Sequence, residues 1–346
     1  MKFVIREADL QRDKQVIIGT ALRFLTPLSD DSRFGWLYEN NIHGQARVWF
    51  VYSGDDGAVM GMAGAFPRRI YIDGRKELAW VLGDFCISDQ YRSLGPALAL
   101  QRACLAEVDR GVVAFCYDFP SASMMAVYKR LQISPFGYVL RLAKPLRVDR
   151  QIRAIIKNPV IKGALSSAGN LLLRVNERKT GCDSSVNVSI QQGRCGEEFS
   201  ELGRTIADRR GVFIQRSAEY LNWRYLQDPL HRYELLAARR DGALLGYGVF
   251  LHEGEDALLV DLFGVEDEGV ISALIIHGVA LMKARDVQTV SATIVEAHPW
   301  RALLERQGFR IREASPIVIY FPSGMLPRGD LTKLQNWLFM GGDRDS

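Results

Sequence analysis

Apolar residues run in short blocks broken by Gly, Asp and Pro, and most blocks predict strands. Residues 48–52 and 59–66 flank Asp56-Gly57, and residues 234–239 and 244–251 flank Asp241-Gly242. Asp-Gly between strand-like runs predicts a β-hairpin in each place. Ile70-Tyr71-Ile72-Asp73-Gly74-Arg75 predicts a further bend, and residues 80–88 and 112–117 predict buried strands. Leu98, Gln101, Leu105 and Val108 recur at helical spacing, predicting a helix over 97–108. A second helix over 123–131 is expected, begun by a serine cap. Helices thus interrupt mostly antiparallel strands, which predicts a mixed α/β (α+β) fold with a twisted sheet flanked by helices.

The same pattern occurs twice. Asp56-Gly57-Ala58-Val59-Met60-Gly61-Met62 reappears as Asp241-Gly242-Ala243-Leu244-Leu245-Gly246-Tyr247. Trp36-Leu37-Tyr38 is answered by Trp223-Arg224-Tyr225, and Gly83-Asp84-Phe85-Cys86-Ile87 by Val260-Asp261-Leu262-Phe263-Gly264. Tyr128-Lys129-Arg130-Leu131 falls opposite Leu304-Glu305-Arg306-Gln307. Four matches in one order predict two homologous domains, over 1–145 and 196–346, joined by a linker over 146–195.

A length of 346 residues accommodates two domains, and 48% hydrophobic with 24% charged residues excludes disordered and fibrous classes. No apolar run reaches the ~18–20 residues of a membrane span, and Met1–Glu7 lacks a signal-peptide core, so a cytoplasmic protein is expected. The five cysteines form no Cys-x-x-Cys pair and the five histidines no cluster, so no metal is expected. The net charge of +4 hides an asymmetry: residues 141–180 hold ten Lys/Arg against Asp149 and Glu177, leaving −4 for the rest. Residues 144–162 predict a basic amphipathic helix interrupted at Pro159. It reads as a solvated face, a contact with an anionic membrane surface, or a grip on a phosphorylated acceptor. Nucleic acid is not an expected partner.

The most informative stretch, Cys86-Ile87-Ser88-Asp89-Gln90-Tyr91-Arg92-Ser93-Leu94-Gly95-Pro96-Ala97, ends a strand and opens a helix. Consecutive N–H groups at such a junction converge on an anion, small residues permit close approach, and Arg92 adds charge. Pro96 removes one N–H but suits a first helical position. Arg92-x-x-Gly95-x-Ala97, the opening Ile5-Arg6-Glu7-Ala8-Asp9 and the Tyr128-Lys129-Arg130-Leu131 helix together resemble the GNAT N-acetyltransferase superfamily.

That resemblance covers residues 3–140 well and 213–322 more weakly. It implies two tandem GNAT-like domains, the first binding acetyl-CoA or another acyl-CoA as co-substrate. Arg92, Ser93 and the N–H groups from Leu94 through Gly95 and Pro96 to Ala97 would hold the diphosphate. Phe85, Cys86, Ile87 and Ser88 would pair with the pantetheine, and Ser121 stands where the family often has a contacting Asn. Tyr128 would protonate the leaving thiolate; a phenol of pKa near ~10 can serve a thiolate of pKa ~8–9. Asp84 is the nearest acidic candidate for general base, although Asp261 holds the same place in the second copy. That copy has no Arg at the turn, Ser272 for Gly95 and Leu304 for Tyr128, and offers Trp223, Arg224, Tyr225, Asp261 and His298 as polar candidates. The expected function is acyl-CoA-dependent N-acylation of a primary amine on a small-molecule or amino-sugar acceptor. The alternatives are a peptidoglycan-type aminoacyltransferase using aminoacyl-tRNA, and a non-catalytic CoA-binding scaffold.

Overall fold

The predicted hairpins form, and each recurs at the corresponding point of the second half. The computed structural model describes residues 2–91, 94–150, 184–207, 211–324 and 329–344, with residues 152, 165, 168, 170 and 171. The first half comprises β1 (Phe3–Glu7), α1 (Lys14–Phe24), α2 (Asp31–Phe34), β2 (Arg47–Ser53), β3 (Val59–Ile72), β4 (Arg75–Ile87), α3 (Leu94–Asp109), β5 (Cys116–Asp118), α4 (Ala122–Arg130) and β6 (Gly137–Pro145). The second comprises β7 (Asn187–Ile190), α5 (Glu197–Ala207), β8 (Val212–Ile214), α6 (Ala218–Leu221), β9 (Tyr233–Arg240), β10 (Ala243–Glu253), β11 (Asp256–Gly264), α7 (Glu268–Ala284), β12 (Thr289–Val295), α8 (Arg301–Arg306) and β13 (Arg310–Tyr320).

All strands belong to one sheet ordered β1-β2-β3-β4-β5-β13-β6-β12-β11-β10-β9-β7, with β8 paired to β3. The order reads as one half forward and the other in reverse, with the last strand of each half exchanged. β13 pairs β5 through Val318↔Asp118, Ile319↔Tyr117 and Tyr320↔Cys116, while β6 pairs β12 from Val139↔Val295 to Pro145↔Thr289. The β4–β5 and β11–β12 pairs are parallel; β6 and β13 pair antiparallel.

The core is continuous across the join. After α2 and after α6 the chain makes a π-type turn, Gly35–Glu39 and Asn222–Leu226. These turns bring Trp36 and Trp223 together with ring centroids 5.3 Å apart. Each indole N–H donates to the other residue's carbonyl, at 2.8 and 3.1 Å. Phe213, Phe263, Trp337 and Phe339 extend this buried layer between the halves.

Several expectations change. Lys144 and Pro145 end β6 instead of opening a helix, because Val290 and Thr289 of β12 pair with them. Asp149, Arg150 and Ile152 are helical, the Ile152 N–H bonding the Val148 carbonyl at 3.0 Å; residues 151 and 153–162, with Pro159, lie outside the described residues. β7 falls inside the stretch expected as linker and pairs β9 as the far edge of the sheet. The strand expected over 112–117 begins only at Cys116. Among the described residues, no helix is long and apolar enough to cross a membrane.

Candidate functional site

The site begins at a break in β4. Its register against β3 shifts between Met62 and Gly64, leaving an extra residue on β4, and Asp84 there has φ +46. A bulge re-aims side chains, and a left-handed aspartate is strained backbone held by its surroundings. What holds it comes from α2. The Asp30 carboxylate accepts the Arg33 N–H at 2.8 Å and starts the helix, and the π-type turn that follows lets Arg33 and Tyr38, five residues apart, face the same way. Arg33 donates to both Asp84 oxygens at 2.9 Å, and the Tyr38 hydroxyl donates to Oδ2. The bidentate carboxylate raises the Arg33 pKa against the lowering effect of burial. Burial, reinforced by Asp84, pushes the Tyr38 phenol well up.

Beyond Asp84 the sheet opens. β4 and β5 pair only at Trp80↔Cys116 and Val81↔Tyr117 and then part. A cleft of about 330 Å³ lies between them, walled by Gly83, Asp84 and Phe85 on one side and Asp118 to Ser121 on the other. Residues 82–87 pair with β3 along one edge only, so their other edge can take an extended ligand as an added strand. Of the residues expected to line pantetheine, Phe85 and Ile87 are half-buried, Cys86 and Ser88 are buried, and the Ser88 N–H is spent on the Met60 carbonyl at 2.8 Å.

The helix that follows β4 is α3, which begins at Leu94. Gly95 is exposed at its first turn; Pro96 and Ala97 are buried behind it. Arg92 and Ser93 lie outside the described residues. Ser121 caps α4, its hydroxyl accepting the Met124 N–H at 3.3 Å.

Tyr128 is buried rather than displayed on the helix face, and it does not line the cleft. Its hydroxyl donates to Asp118 Oδ2 at 2.7 Å and accepts from Gln101 Nε2 at 3.3 Å. Burial and the Asp118 carboxylate push the phenol well above its ordinary range. Asp118 itself lines the cleft, so Tyr128 meets it through that carboxylate.

A second cleft of about 430 Å³ lies over β11 and β12. It shares Leu25, Asp84 and Arg344 with the first, which makes those residues the junction, and Arg224, His231 and Glu253 line it farther on. Asp228 binds His231 Nδ1 at 3.0 Å and raises the imidazole pKa. Arg33, Tyr38, Asp118 and Arg344 were not singled out from the sequence. Tyr38 alone carried a signal there, as part of the repeated Trp-x-Tyr.

The equivalent places in the second half are filled. Asp261 is buried between Arg216 (3.2 Å) and the hydroxyls of Tyr225 (3.0 Å) and Tyr247 (3.1 Å). The parting of β11 and β12 is occupied by the chain's own C-terminal segment: Met340 bridges to Ile294, and its sulfur accepts the Leu262 N–H. At the start of α7 the Asp267 carboxylate accepts the N–H groups of Gly269 (2.8 Å) and Val270 (3.3 Å), where an anion would otherwise sit. Of the second copy's other candidates, Trp223 packs in the join and His298 Nδ1 accepts the Trp300 N–H at 3.1 Å in a loop entering α8.

No family model matches the sequence, and no curated protein does. Solved structures do match. A GCN5-related N-acetyltransferase from Anabaena variabilis aligns with TM-score 0.66 at 14% identity, over 92% of this chain and 72% of that one. The Saccharomyces cerevisiae N-myristoyltransferase with bound myristoyl-CoA aligns with TM-score 0.60 at 11% identity, over 92% and 82%. A GCN5-related N-acetyltransferase from Kribbella flavida gives 0.57 at 16% identity, over 92% and 71%. At such identities the likeness is one of fold, and it spans both halves. The chain has the GNAT fold, laid down twice in opposite directions along a single sheet.

Proposed function

We propose that the chain is an acyl-CoA-dependent N-acyltransferase whose first half holds the acyl-CoA and whose second half holds the amine acceptor. The observation that carries this reading is the parting of β4 from β5, open in the first half and meeting a second cleft at Asp84. The neighbour with bound myristoyl-CoA and the two N-acetyltransferases support the same chemistry. The pantetheine would lie along the free edge of β4, with its diphosphate at the start of α3 beside Gly95.

The acceptor nitrogen attacks the thioester carbonyl; a C–N bond forms, the C–S bond breaks and the sulfur leaves with the electron pair. The amine sheds one proton toward Asp84, through a water because Arg33 and Tyr38 already occupy the carboxylate. The departing thiolate takes a proton from water at the cleft wall, where Tyr128 positions the Asp118 carboxylate, and the proton taken up through Asp84 returns to the same water, so the transfer balances. No covalent enzyme intermediate is needed. Cys86, Cys104, Cys116 and Cys195 are buried with pKa values pushed up by burial, Cys86 to about 12, and are poor nucleophiles.

Calorimetric titration with acetyl-CoA and with longer acyl-CoAs tests the reading. Binding to the wild type and its loss in Gly95→Glu are expected; no heat with any acyl-CoA sinks it. Tyr128→Phe is expected to lower turnover at least ten-fold with acyl-CoA affinity retained. Unchanged turnover removes the positioning role of Tyr128 on Asp118, and salt-sensitive tRNA binding would favour an aminoacyl-tRNA substrate instead.

A further inference from the structure

The junction of the two clefts carries a charge that the transfer chemistry does not use. Arg344 lines both clefts, and its guanidinium lies over the Phe119 ring, 5.2 Å from the centroid. The other cations lining the acceptor cleft have carboxylates: Arg33 has both oxygens of Asp84, while Arg224 (3.8 Å) and His231 (3.0 Å) share Asp228. Among the described residues Arg344 has none. Arg224 adds a second observation. Its guanidinium is only 2% exposed, and Nη1 has no hydrogen-bond acceptor, since Asp228 is also bound to His231 and to the Leu230 N–H. A buried guanidinium short of acceptors is costly to maintain, and both raise the positive potential of one cleft.

We infer that the acceptor amine carries a carboxylate close to its nitrogen, as an α-amino acid does, and that Arg344 holds that carboxylate while Asp84 faces the nitrogen. This rests on the acyltransferase reading for the identity of the reacting group. A lone ammonium at the junction would match Asp84 but leave Arg344 without a partner, whereas a zwitterion matches Asp84 with its ammonium and Arg344 with its carboxylate. A planar guanidinium pinned on an aromatic face presents paired donors that fit the two oxygens of one carboxylate. Leu230, Leu251, Leu258 and Leu259 farther along the cleft leave room for an aliphatic portion of the acceptor.

Acceptor binding is read by saturation-transfer NMR with CoA present and absent, so the measurement does not depend on turnover. The probes are pairs of an α-amino acid and its decarboxylated amine: alanine and ethylamine, leucine and 3-methylbutylamine, phenylalanine and phenethylamine. At least one acid is expected to bind ten-fold or more tightly than its amine. That ratio should fall toward one in Arg344→Gln and recover in part in Arg344→Lys. The ratio is internal to each protein, so a general loss of folding or of CoA binding does not mimic the effect. A wild-type ratio near one for every pair, or a ratio that survives Arg344→Gln, overturns the inference. Acyl-CoA is titrated separately: binding there without a carboxylate preference overturns only this inference, and a preference without acyl-CoA binding overturns only the acyltransferase reading.

Discussion

The two halves place an aspartate at the same point of the corresponding strands β4 and β11 and then treat it in opposite ways. Asp84 sits on a bulge with left-handed backbone, binds Arg33 and Tyr38, and still forms part of the wall of two clefts. Asp261 has no such backbone and is enclosed by Arg216, Tyr225 and Tyr247. Around Asp261 each space a ligand would need is taken by the chain itself: the carboxylate of Asp267 at the helix start and the thioether of Met340 between the strands. The difference teaches that one fold can serve as a ligand site or as a scaffold, according to whether its two openings are filled from within.

The sharpest way to break this contrast is to neutralise both aspartates. Asp84→Asn is expected to lower turnover by about 100-fold or more, in the range of lost acid–base catalysis. Asp261→Asn is expected to leave the turnover of the folded protein unchanged, while both variants lose stability, by about 3–5 kcal/mol, because Arg33 and Arg216 each lose a buried counter-charge. Turnover with saturating acyl-CoA and urea midpoints of both variants check this. The idea fails if the two variants lose turnover alike.

A smaller effect separates the join from the filled opening. His43, stacked on Tyr220 across the halves, has its pKa pushed down to about 2 by burial and by Arg68, Arg69 and Arg216. Asp343, in the filling segment, is pushed up to about 6 by burial despite Arg216. For His43 the folded value lies below the ordinary 6.5, so its contribution is present above that pH and lost as pH falls. For Asp343 the folded value lies above the ordinary 3.8, so its contribution is present below that and lost as pH rises through about 6. Between pH 4 and 6 the two slopes oppose one another. His43→Asn should therefore become less stable relative to wild type as pH rises through this window, and Asp343→Asn more stable. Denaturation midpoints at pH 4.5 and 6 measure it, and slopes of equal sign would break the assignment.

The smallest effect concerns the helix starts. Asp267→Ala should cost about 1 kcal/mol as a lost cap, with acyl-CoA affinity unaltered. A change in that affinity, measured by calorimetry, would place an acyl-CoA site in the second half.

Local features were legible in the sequence: the Asp-Gly hairpins, a serine cap at the start of α4 and the strand-to-helix junction before Gly95 all depend on neighbouring residues, although the cap is Ser121 and the helix begins at Ala122, one residue before the expected start. The repeat also placed Trp36 opposite Trp223 and Asp84 opposite Asp261. What escaped was long-range. Arg33 and Asp84 lie 51 positions apart with no shared periodicity. The exchange of β6 and β13 is equally silent, since a strand's alternation does not name its partner. Tyr128 was expected to deliver a proton itself; its burial and its bond to Asp118 are tertiary facts that helix-face spacing does not encode.

The strand exchange also orders events during synthesis. When residues 1–145 have left the ribosome, β5 has β4 on one side and a bare edge on the other, and β6 has neither of its final partners. Both neighbours of β6 and the missing neighbour of β5 are translated more than 140 residues later. A bare strand edge invites pairing with another chain, so the nascent first half is the stage at which a chaperone would be most needed.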